Sequence, residues 1–406
     1  MARRTAARPA TVSPAAARPT TAEPIAAASD AAASPLELAV VLQGGGAYGA
    51  YEFGALLALL ECLEAANRSG PAVILKAVTG VSIGAMNAAC VVGADGPADA
   101  RARLSALWDD ITLVVPAMPT LFGEHPAQDA FARDLSIFGL PGFYGPRTDL
   151  WSLPRWTHVY DRAPLVATLS RNVDFARLNA GATAFVVTAV DVDTAELRQF
   201  HNAAFATPAD TIGPEHVLAS GSLPPGFSWT EIGGHAYWDG GLVDNTPLGA
   251  AIDAFSAGNE RRMLVVMNLF PARAPRPANL FEVDDRVQEM RYGNRIRQDR
   301  ATAERINRLV ATVEELAAVV PDLASRADLA ARVEKARGYK IIRQIVDVDF
   351  HDDAGDAIPA PQDRGDGAGG GRDFSEATVA RRRDIGHARG KARLEAAFAE
   401  AGLAVP

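Results

Sequence analysis

The fold is decided by residues 36–49, which read LELAVVLQGGGAYG. Seven mostly apolar residues, Leu36–Leu42, lead almost directly into three consecutive glycines. A short apolar run that ends at clustered glycines predicts a buried strand followed by a tight turn. The residues after this turn, from about Tyr48 to Ala66, are rich in Ala and Leu and predict a helix.

The same order of strand, turn and helix occurs a second time. Residues 73–78 (VILKAV) predict another buried strand, residues 80–84 (GVSIG) a turn, and an Ala-rich segment to about Val92 a helix. Further strands are predicted at residues 184–190, 263–269 and 339–350. Strands that alternate with helices form a parallel sheet covered by helices, with functional residues at the carboxyl ends of the strands. We therefore expect an α/β fold.

Composition divides the chain into three parts. Residues 1–35 are mainly Ala, Pro, Thr, Ser and Arg, without the apolar run of a signal peptide, and predict a disordered tail. Residues 36–271 carry the α/β pattern. Residues 272–406 predict a mainly helical C-terminal extension with a Gly/Asp-rich loop at residues 363–372. No stretch approaches about 18 consecutive apolar residues, so we expect no membrane-spanning helix.

Charge and cysteine content narrow the class of protein. The formal net charge of −9 argues against nucleic acid as the main partner, because a phosphate-binding surface needs a basic excess. The two cysteines, Cys62 and Cys90, lie in predicted helices and favour buried, reduced thiols over a disulfide. A reducing compartment, the cytoplasm, is therefore expected.

The second turn carries the pattern Gly80-x-Ser82-x-Gly84. Between a buried strand and a helix, this pattern is typical of a nucleophile elbow, in which flanking glycines allow a strained turn that exposes the serine hydroxyl. The positive end of the following helix then points toward a developing oxyanion. The alternative is an ordinary glycine-rich turn whose serine only caps the helix.

The first turn contains Gly44, Gly45, Gly46 and Gly49. Consecutive glycines let backbone N–H groups converge on a negative oxygen, as an oxyanion hole requires. The same spacing fits the dinucleotide-binding fingerprint Gly-x-Gly-x-x-Gly. The ribose-binding acid expected at the end of the next strand is absent, however, which argues against a nucleotide site.

A serine nucleophile needs a base, and Asp239 has the most suitable surroundings. It follows the apolar pair Tyr237-Trp238 and precedes Gly240-Gly241, so we expect a strand to deliver a carboxyl group to a flexible turn, where desolvation would raise its pKa. The alternative for this segment is a simple Asp-Gly hairpin turn. Among the seven histidines, His351 and His387 follow the aspartate, but their charged or loop-like surroundings lack a strand-end glycine signal.

In combination, the Gly44–Gly49 loop, the Ser82 turn and Asp239-Gly240-Gly241 resemble the patatin-like phospholipase family. Residues 219–227 (ASGSLPPGF) and Asn245-Thr246-Pro247 add to the resemblance, which covers residues 36–271. The C-terminal part resembles the extension of one bacterial subset of that family. One departure is Tyr48, which stands where the family often has Arg or Lys.

The resemblance implies a three-layer α/β/α fold with a mainly parallel sheet. It also implies a lipid acyl hydrolase with a Ser82–Asp239 dyad, an oxyanion hole formed by Gly44, Gly45 and Gly46, and no metal or organic cofactor. A lipid ester is then the substrate, and a membrane or lipid surface a peripheral partner. The natural lipid and the oligomeric state stay open.

Three further interpretations stand beside this hypothesis, and two of them are alternatives to it. The apolar segment at residues 112–156 is either a lid or acyl-chain lining, or it packs against the sheet. A nucleotide-binding protein is one alternative function. The other is a binding protein without catalytic activity that associates with membranes or granules through its C-terminal helices.

Overall fold

The predicted first strand forms as β1, all seven of whose residues are buried. In this computed structural model the described residues are 34–114, 138–257, 259, 261–270, 276–277, 280–320, 322–337, 339–342, 344–350 and 370–406. The predictions for residues 1–33, for residues 115–137 of the apolar segment and for residues 363–369 of the Gly/Asp-rich loop lie outside these ranges.

The strands in chain order are β1 (Leu36–Leu42), β2 (Val73–Gly80), β3 (Gly145–Pro146), β4 (Tyr160–Asp161), β5 (Ala184–Asp191), β6 (Leu197–His201), β7 (Thr230–Ile232), β8 (His235–Asp239), β9 (Arg262–Asn268) and β10 (Gln344–Asp349). The described α-helices are α1 (Gly49–Ala66), α2 (Ile83–Val92), α3 (Pro97–Ile111), α4 (Ala163–Asn172), α5 (Phe175–Ala180), α6 (Pro214–Ser220), α7 (Leu248–Asp253), α8 (Leu280–Val319), α9 (Ala327–Arg337) and α10 (Glu376–Glu400). Short 3₁₀ turns occur at Gly46–Tyr48, Leu150–Arg155, Gly240–Leu242, Leu323–Ser325 and Gly370–Arg372.

The central sheet has the strand order β10-β9-β1-β2-β5-β8-β7, and β6 also pairs with β5. The pairings from β10 through β5 are parallel, whereas β6 and β8 run antiparallel to β5, and β7 antiparallel to β8. The predicted mainly parallel sheet is confirmed. Strand β10 lies at one edge, so residues from the C-terminal part of the chain extend the same sheet.

Alternating residues of β1 enter two separate cores, because successive side chains of a strand point to opposite faces. Leu38, Val40 and Leu42 belong to a large cluster with α1, α2, α3 and α10. Ala39 and Val41 belong to a smaller cluster with α7. The sheet is therefore covered by helices on both faces, which confirms the three-layer α/β/α fold.

The prediction of a strand over residues 339–350 is wrong at its start. Residues 339–342 precede β10, and the backbone of Ile342 bonds instead to the Asn307 side chain: its N–H donates to Oδ1 (3.3 Å) and its carbonyl accepts from Nδ2 (2.8 Å). These residues are tied to helix α8, and sheet pairing begins only at Gln344. No helix among the described residues is long and apolar enough to cross a membrane.

Helices α1 and α10 pack so closely that the backbone of one touches the backbone of the other, with glycines at the contact. A Cβ atom on Gly386 would clash with the Tyr51 carbonyl oxygen, and one on Gly54 with the Arg383 carbonyl oxygen. A Cβ atom on Gly390 would lie 2.9 Å from Ala55 Cα. The C-terminal helix thus packs on the helix that follows the glycine loop.

We expect Gly386→Ala to lower the free energy of unfolding by about 1–3 kcal/mol, because overpacking forces the two helices apart. Helix propensity alone would make the alanine variant more stable by about 1 kcal/mol. A loss of stability would therefore show that packing dominates. The matched control is Gly249→Ala in α7, where an added Cβ meets open space. Urea unfolding measures both variants. A Gly386→Ala protein as stable as Gly249→Ala would contradict the close packing.

Candidate active site

The glycine loop and Ser82 follow two adjacent parallel strands, so they meet at one edge of the sheet. The loop comes after β1 and Ser82 after β2, and these strands pair up to Leu42 and Gly80. A Cβ atom on Gly44 would lie 3.0 Å from Ser82 Cβ. Asp239 is the last residue of β8, where it pairs with Ala189 of β5. The structure therefore places the three predicted motifs in one region.

Ser82 occupies a strained turn between β2 and α2. Its φ of 54° and ψ of −122° lie in a region that non-glycine residues rarely adopt. Its N–H donates to Ser220 Oγ (2.9 Å), which helps to hold the turn. The Ser82 side chain makes no capping hydrogen bond to α2, so the simple capping interpretation is wrong.

Both glycines beside Ser82 are required by close backbone contacts. A Cβ atom on Gly80 would lie 2.5 Å from the Gly84 carbonyl oxygen. One on Gly84 would lie 2.7 Å from the carbonyl oxygen of Gln43, just before the glycine loop. Larger residues at either position would displace Ser82 or the loop.

The Asp239 carboxyl group is almost completely buried, with 3% of its surface exposed. Its Oδ1 accepts a hydrogen bond from the Gly241 N–H (2.8 Å). Burial raises the pKa of Asp239 to about 7, whereas the Gly241 N–H, a hydrogen bond with the Ser82 side chain and the charge of Arg162 act in the opposite direction. At neutral pH this carboxyl group thus both gains and loses a proton readily.

Arg162 supplies a positive charge near Asp239 from inside the protein. Its Nη1 donates to the Leu218 carbonyl (2.8 Å) and to Ser222 Oγ (2.7 Å), and Nη2 donates to the Ser228 carbonyl and Thr230 Oγ1 (both 3.0 Å). Burial lowers the pKa of Arg162 to about 10, so it remains charged at neutral pH. The Ser222 carbonyl in turn accepts the Asp239 N–H (3.1 Å). Sequence reasoning missed Arg162, because a lone arginine before a helix carries no local signal of burial.

Asn245 fixes the first glycine of the loop by two hydrogen bonds. Its Oδ1 accepts the Gly44 N–H (3.1 Å), and its Nδ2 donates to the Gly44 carbonyl (2.9 Å). The Gly44 N–H therefore already has an acceptor, in contrast to its predicted place in the oxyanion hole. Within the described ranges, the N–H groups of Gly45 and Gly46 have no acceptor. The sequence placed Asn245 in a family-like segment without assigning it this role.

A buried polar network connects the loop to its surroundings. The Gln43 N–H donates to Glu52 Oε1 (2.7 Å), Gln43 Nε2 donates to Thr246 Oγ1 (2.8 Å), and Gln43 Oε1 accepts the Leu269 N–H (2.8 Å). Asn87 of α2 donates to Glu52 Oε2 (3.2 Å). Burial raises the pKa of Glu52 well above its usual value. Gln43, just before Gly44, is thus held by Thr246, by the residue after β9 and by Glu52 of α1, which Asn87 of α2 holds in turn.

The described histidines bond elsewhere. His158 contacts Arg147, His201 the Asn202 carbonyl, His216 the Gly213 N–H, His235 Asp191, and His387 Glu61. None of these five contacts joins Ser82 or Asp239. His125 and His351 lie outside the described residues.

Comparison with solved structures finds matches at low sequence identity and low TM-score. VipD from Legionella pneumophila is 15% identical, with 89% of this chain and 67% of VipD covered and a TM-score of 0.39. ExoU of Pseudomonas aeruginosa, in its complex with SpcU, is 17% identical, with 89% of this chain and 52% of ExoU covered and a TM-score of 0.33. This chain thus spans about half the length of ExoU. No curated protein matches it.

The sequence profile described as "Patatin-like phospholipase" matches residues 40–252. This match includes the glycine loop, Ser82, Arg162, Asp239 and Asn245, and it extends over more than half of the chain. The chain belongs to the patatin-like phospholipase family.

Proposed function

We propose that this protein is a lipid acyl hydrolase, of phospholipase A or lipid esterase type, with Ser82 as nucleophile and Asp239 as general base. Family membership supports lipid hydrolysis in general. The single observation that carries the finer assignment is the position of Ser82, at its strained turn, beside a buried carboxyl group: burial raises the pKa of Asp239 to about 7, and the Ser82 side chain is close enough to lower it in part. An ordinary aspartate, with a pKa near 4, is too weak a base to take a proton from a serine.

The reaction follows from the positions of these groups. Asp239 accepts the Ser82 proton while Ser82 Oγ attacks the ester carbonyl carbon. The N–H groups of Gly45 and Gly46 hold the oxyanion that forms. When the intermediate collapses, Asp239 returns the proton to the departing alcohol, and Ser82 carries the acyl group. Water, deprotonated by Asp239, then attacks the acyl carbonyl carbon, and Asp239 returns that proton to Ser82 Oγ as the bond to the acyl group breaks and the fatty acid leaves.

Arg162 and Asn245 support this reaction without touching the ester. Arg162 stays charged and stabilises the ionised form of Asp239, which is the form that acts as a base. Asn245 holds Gly44 and thereby the start of the loop. Both contributions are electrostatic preorganisation, because these groups are oriented before the substrate arrives.

A lipid surface is the partner that suits the exposed apolar residues of the Leu150–Arg155 turn. Leu150, Trp151 and Leu153 are 68%, 84% and 57% exposed. The chain runs from this turn through β4 to Arg162, and the Val159 N–H bonds to the carbonyls of Pro225 and Gly226 (both 3.2 Å). We propose that this turn enters the membrane–water interface, where aromatic side chains are favoured.

Ser82→Ala and Asp239→Asn are expected to lower kcat/KM for p-nitrophenyl esters by at least about 10²–10⁴-fold, because each removes one half of the proton transfer. The asparagine retains an oxygen for the Gly241 N–H, so the fold should persist, and circular dichroism checks this. Ser170→Ala in α4 and Asp174→Asn, a helix cap where asparagine serves equally well, are the matched controls.

Near-normal activity of Asp239→Asn would require another base. If the wild type hydrolyses no ester, the binding-protein alternative is favoured. If nucleotides raise the thermal stability of the protein, the nucleotide-binding alternative is favoured.

The pH profile of kcat/KM should show one ionisation near pH 7. Only ionised Asp239 can take the Ser82 proton. Because burial raises its pKa to about 7, activity is expected to rise through that pH and to fall about tenfold per unit well below it. Stopped assays from pH 5 to 9, with folding monitored at each pH, measure the profile. Constant activity between pH 5 and 8 would rule out Asp239 with a raised pKa as the base.

Trp151→Asp should weaken binding to phosphatidylcholine vesicles by at least about tenfold, since burying a large apolar side chain stabilises by about 1.5–3 kcal/mol. Hydrolysis of a short soluble ester should be unchanged. The control is Val319→Asp at the end of α8, a residue that is 73% exposed. Sedimentation with vesicles measures binding. If Val319→Asp weakens binding and Trp151→Asp does not, the C-terminal helices make the lipid contact instead.

A further inference from the structure

The glycine loop is covered by residues that lie more than 300 positions later in the chain. The turn Gly370–Arg372 packs directly on it: a Cβ atom on Gly46 would clash with the Gly371 carbonyl oxygen, and one on Gly371 would lie 2.8 Å from the Gly45 carbonyl oxygen. Gly46 also has a φ of 58°, which glycine adopts readily. The two backbones therefore fit together only because both contact positions are glycines.

Arg382 of α10 touches both sides of this contact. Its Nη2 donates to the Gly370 carbonyl (2.9 Å). Its guanidinium group lies over the ring of Tyr48, 4.6 Å from the ring centre. Arg382 is completely buried, and Tyr48 is 7% exposed. One side chain thus joins the covering turn to the residue two positions after Gly46.

Tyr48 transmits this contact to the loop. Its N–H donates to the Gly45 carbonyl (3.2 Å), which closes the short turn that contains Gly46. Its ring also contacts Phe270 and Phe350, each at 5.8 Å between ring centres. The planar guanidinium group of Arg382 therefore completes a packed environment around the Tyr48 ring.

The cost of burying Arg382 indicates a positional role. Removing a guanidinium charge from water is expensive, and an apolar side chain of similar volume could fill the same space without that cost. Such a side chain could not hydrogen-bond to Gly370. Arginine alone combines this hydrogen bond with stacking on an aromatic ring.

We propose that Arg382 is a positioning residue for the oxyanion hole: through Tyr48 and the Gly370–Arg372 turn, it sets the direction of the Gly45 and Gly46 N–H groups. This inference rests on the proposed function, because it assumes that those two groups bind the oxyanion. Arg382 acts through the loop and does not touch the ester. The C-terminal helix then contributes to the rate of the reaction as well as to the fold.

Steady-state kinetics per active site test this proposal. The variants are Arg382→Gln, Arg382→Lys, Tyr48→Leu and the double variant Arg382→Gln/Tyr48→Leu. The matched control is Arg383→Gln, because Arg383 is the next residue on α10 and pairs with Asp384. End-point reaction with a fluorophosphonate counts the competent sites in each preparation, so that unfolded protein does not enter kcat.

For Arg382→Gln we expect kcat per site to fall about 10–100-fold, as a misplacement of about 1 Å can produce. KM should stay within about twofold, and the ionisation of Asp239 in the pH profile should stay near pH 7. Arg382→Lys should retain an intermediate kcat, because it keeps the charge over the ring. Tyr48→Leu should resemble Arg382→Gln, and the double variant should be no worse than either, because the two residues act as one unit.

Three outcomes overturn the proposal. The first is a kcat per site of Arg382→Gln equal to that of Arg383→Gln, and the second is a loss confined to the number of competent sites. If Arg382→Gln does not fold, the Tyr48→Leu variant tests the proposal instead, and a normal kcat per site of Tyr48→Leu is the third contradicting outcome. An active Ser82→Ala protein would instead refute the proposed function, so the two failures are distinguishable.

Discussion

The carboxyl group of Asp239 is buried at the end of β8, and the arrangement around it follows from that position. An isolated carboxylate cannot be removed from water without a large penalty, so it either binds a proton or finds compensating partners. Asp239 has three such partners: the Gly241 N–H, the Ser82 side chain and the charge of Arg162. They offset burial only in part, which leaves a pKa near neutrality. In the proposed mechanism this balance lets a carboxylate do the work that histidine does in many serine hydrolases.

The surrounding structure serves to keep the serine and the glycine loop in place. Ser82 is held at a positive φ between β2 and α2, with Ser220 bonded to its N–H. Asn245 and the Gln43–Glu52 hydrogen bond hold the start of the loop. The Gly370–Arg372 turn covers its middle. Contacts from distant parts of the chain thus converge on a few backbone atoms, and in our proposal Arg382 of α10 orients the loop through Tyr48 and this turn.

Several features could be predicted because they leave a local mark on the sequence. Apolar runs that end at glycines predicted β1, β2 and the turns after them, and the glycines beside Ser82 reflect contacts that exclude any larger residue. Arg162 and Arg382 could not be predicted, since charged residues are mostly exposed and nothing in the neighbouring residues marks these two as buried. The occupied N–H of Gly44 was also missed, because its acceptor lies 201 residues away. The start of β10 was misplaced for a similar reason, a side chain of α8 that bonds to Ile342.

The central claim is that Ser82 is a nucleophile activated by Asp239, and covalent trapping tests it most directly. The protein would be reacted with a fluorophosphonate at pH 7.5, and the modified residue and its rate of modification determined by peptide mass spectrometry. We predict a single adduct on Ser82, formed at least about 10²-fold more slowly in Asp239→Asn. An adduct on another residue, or an unchanged rate in Asp239→Asn, would contradict the account.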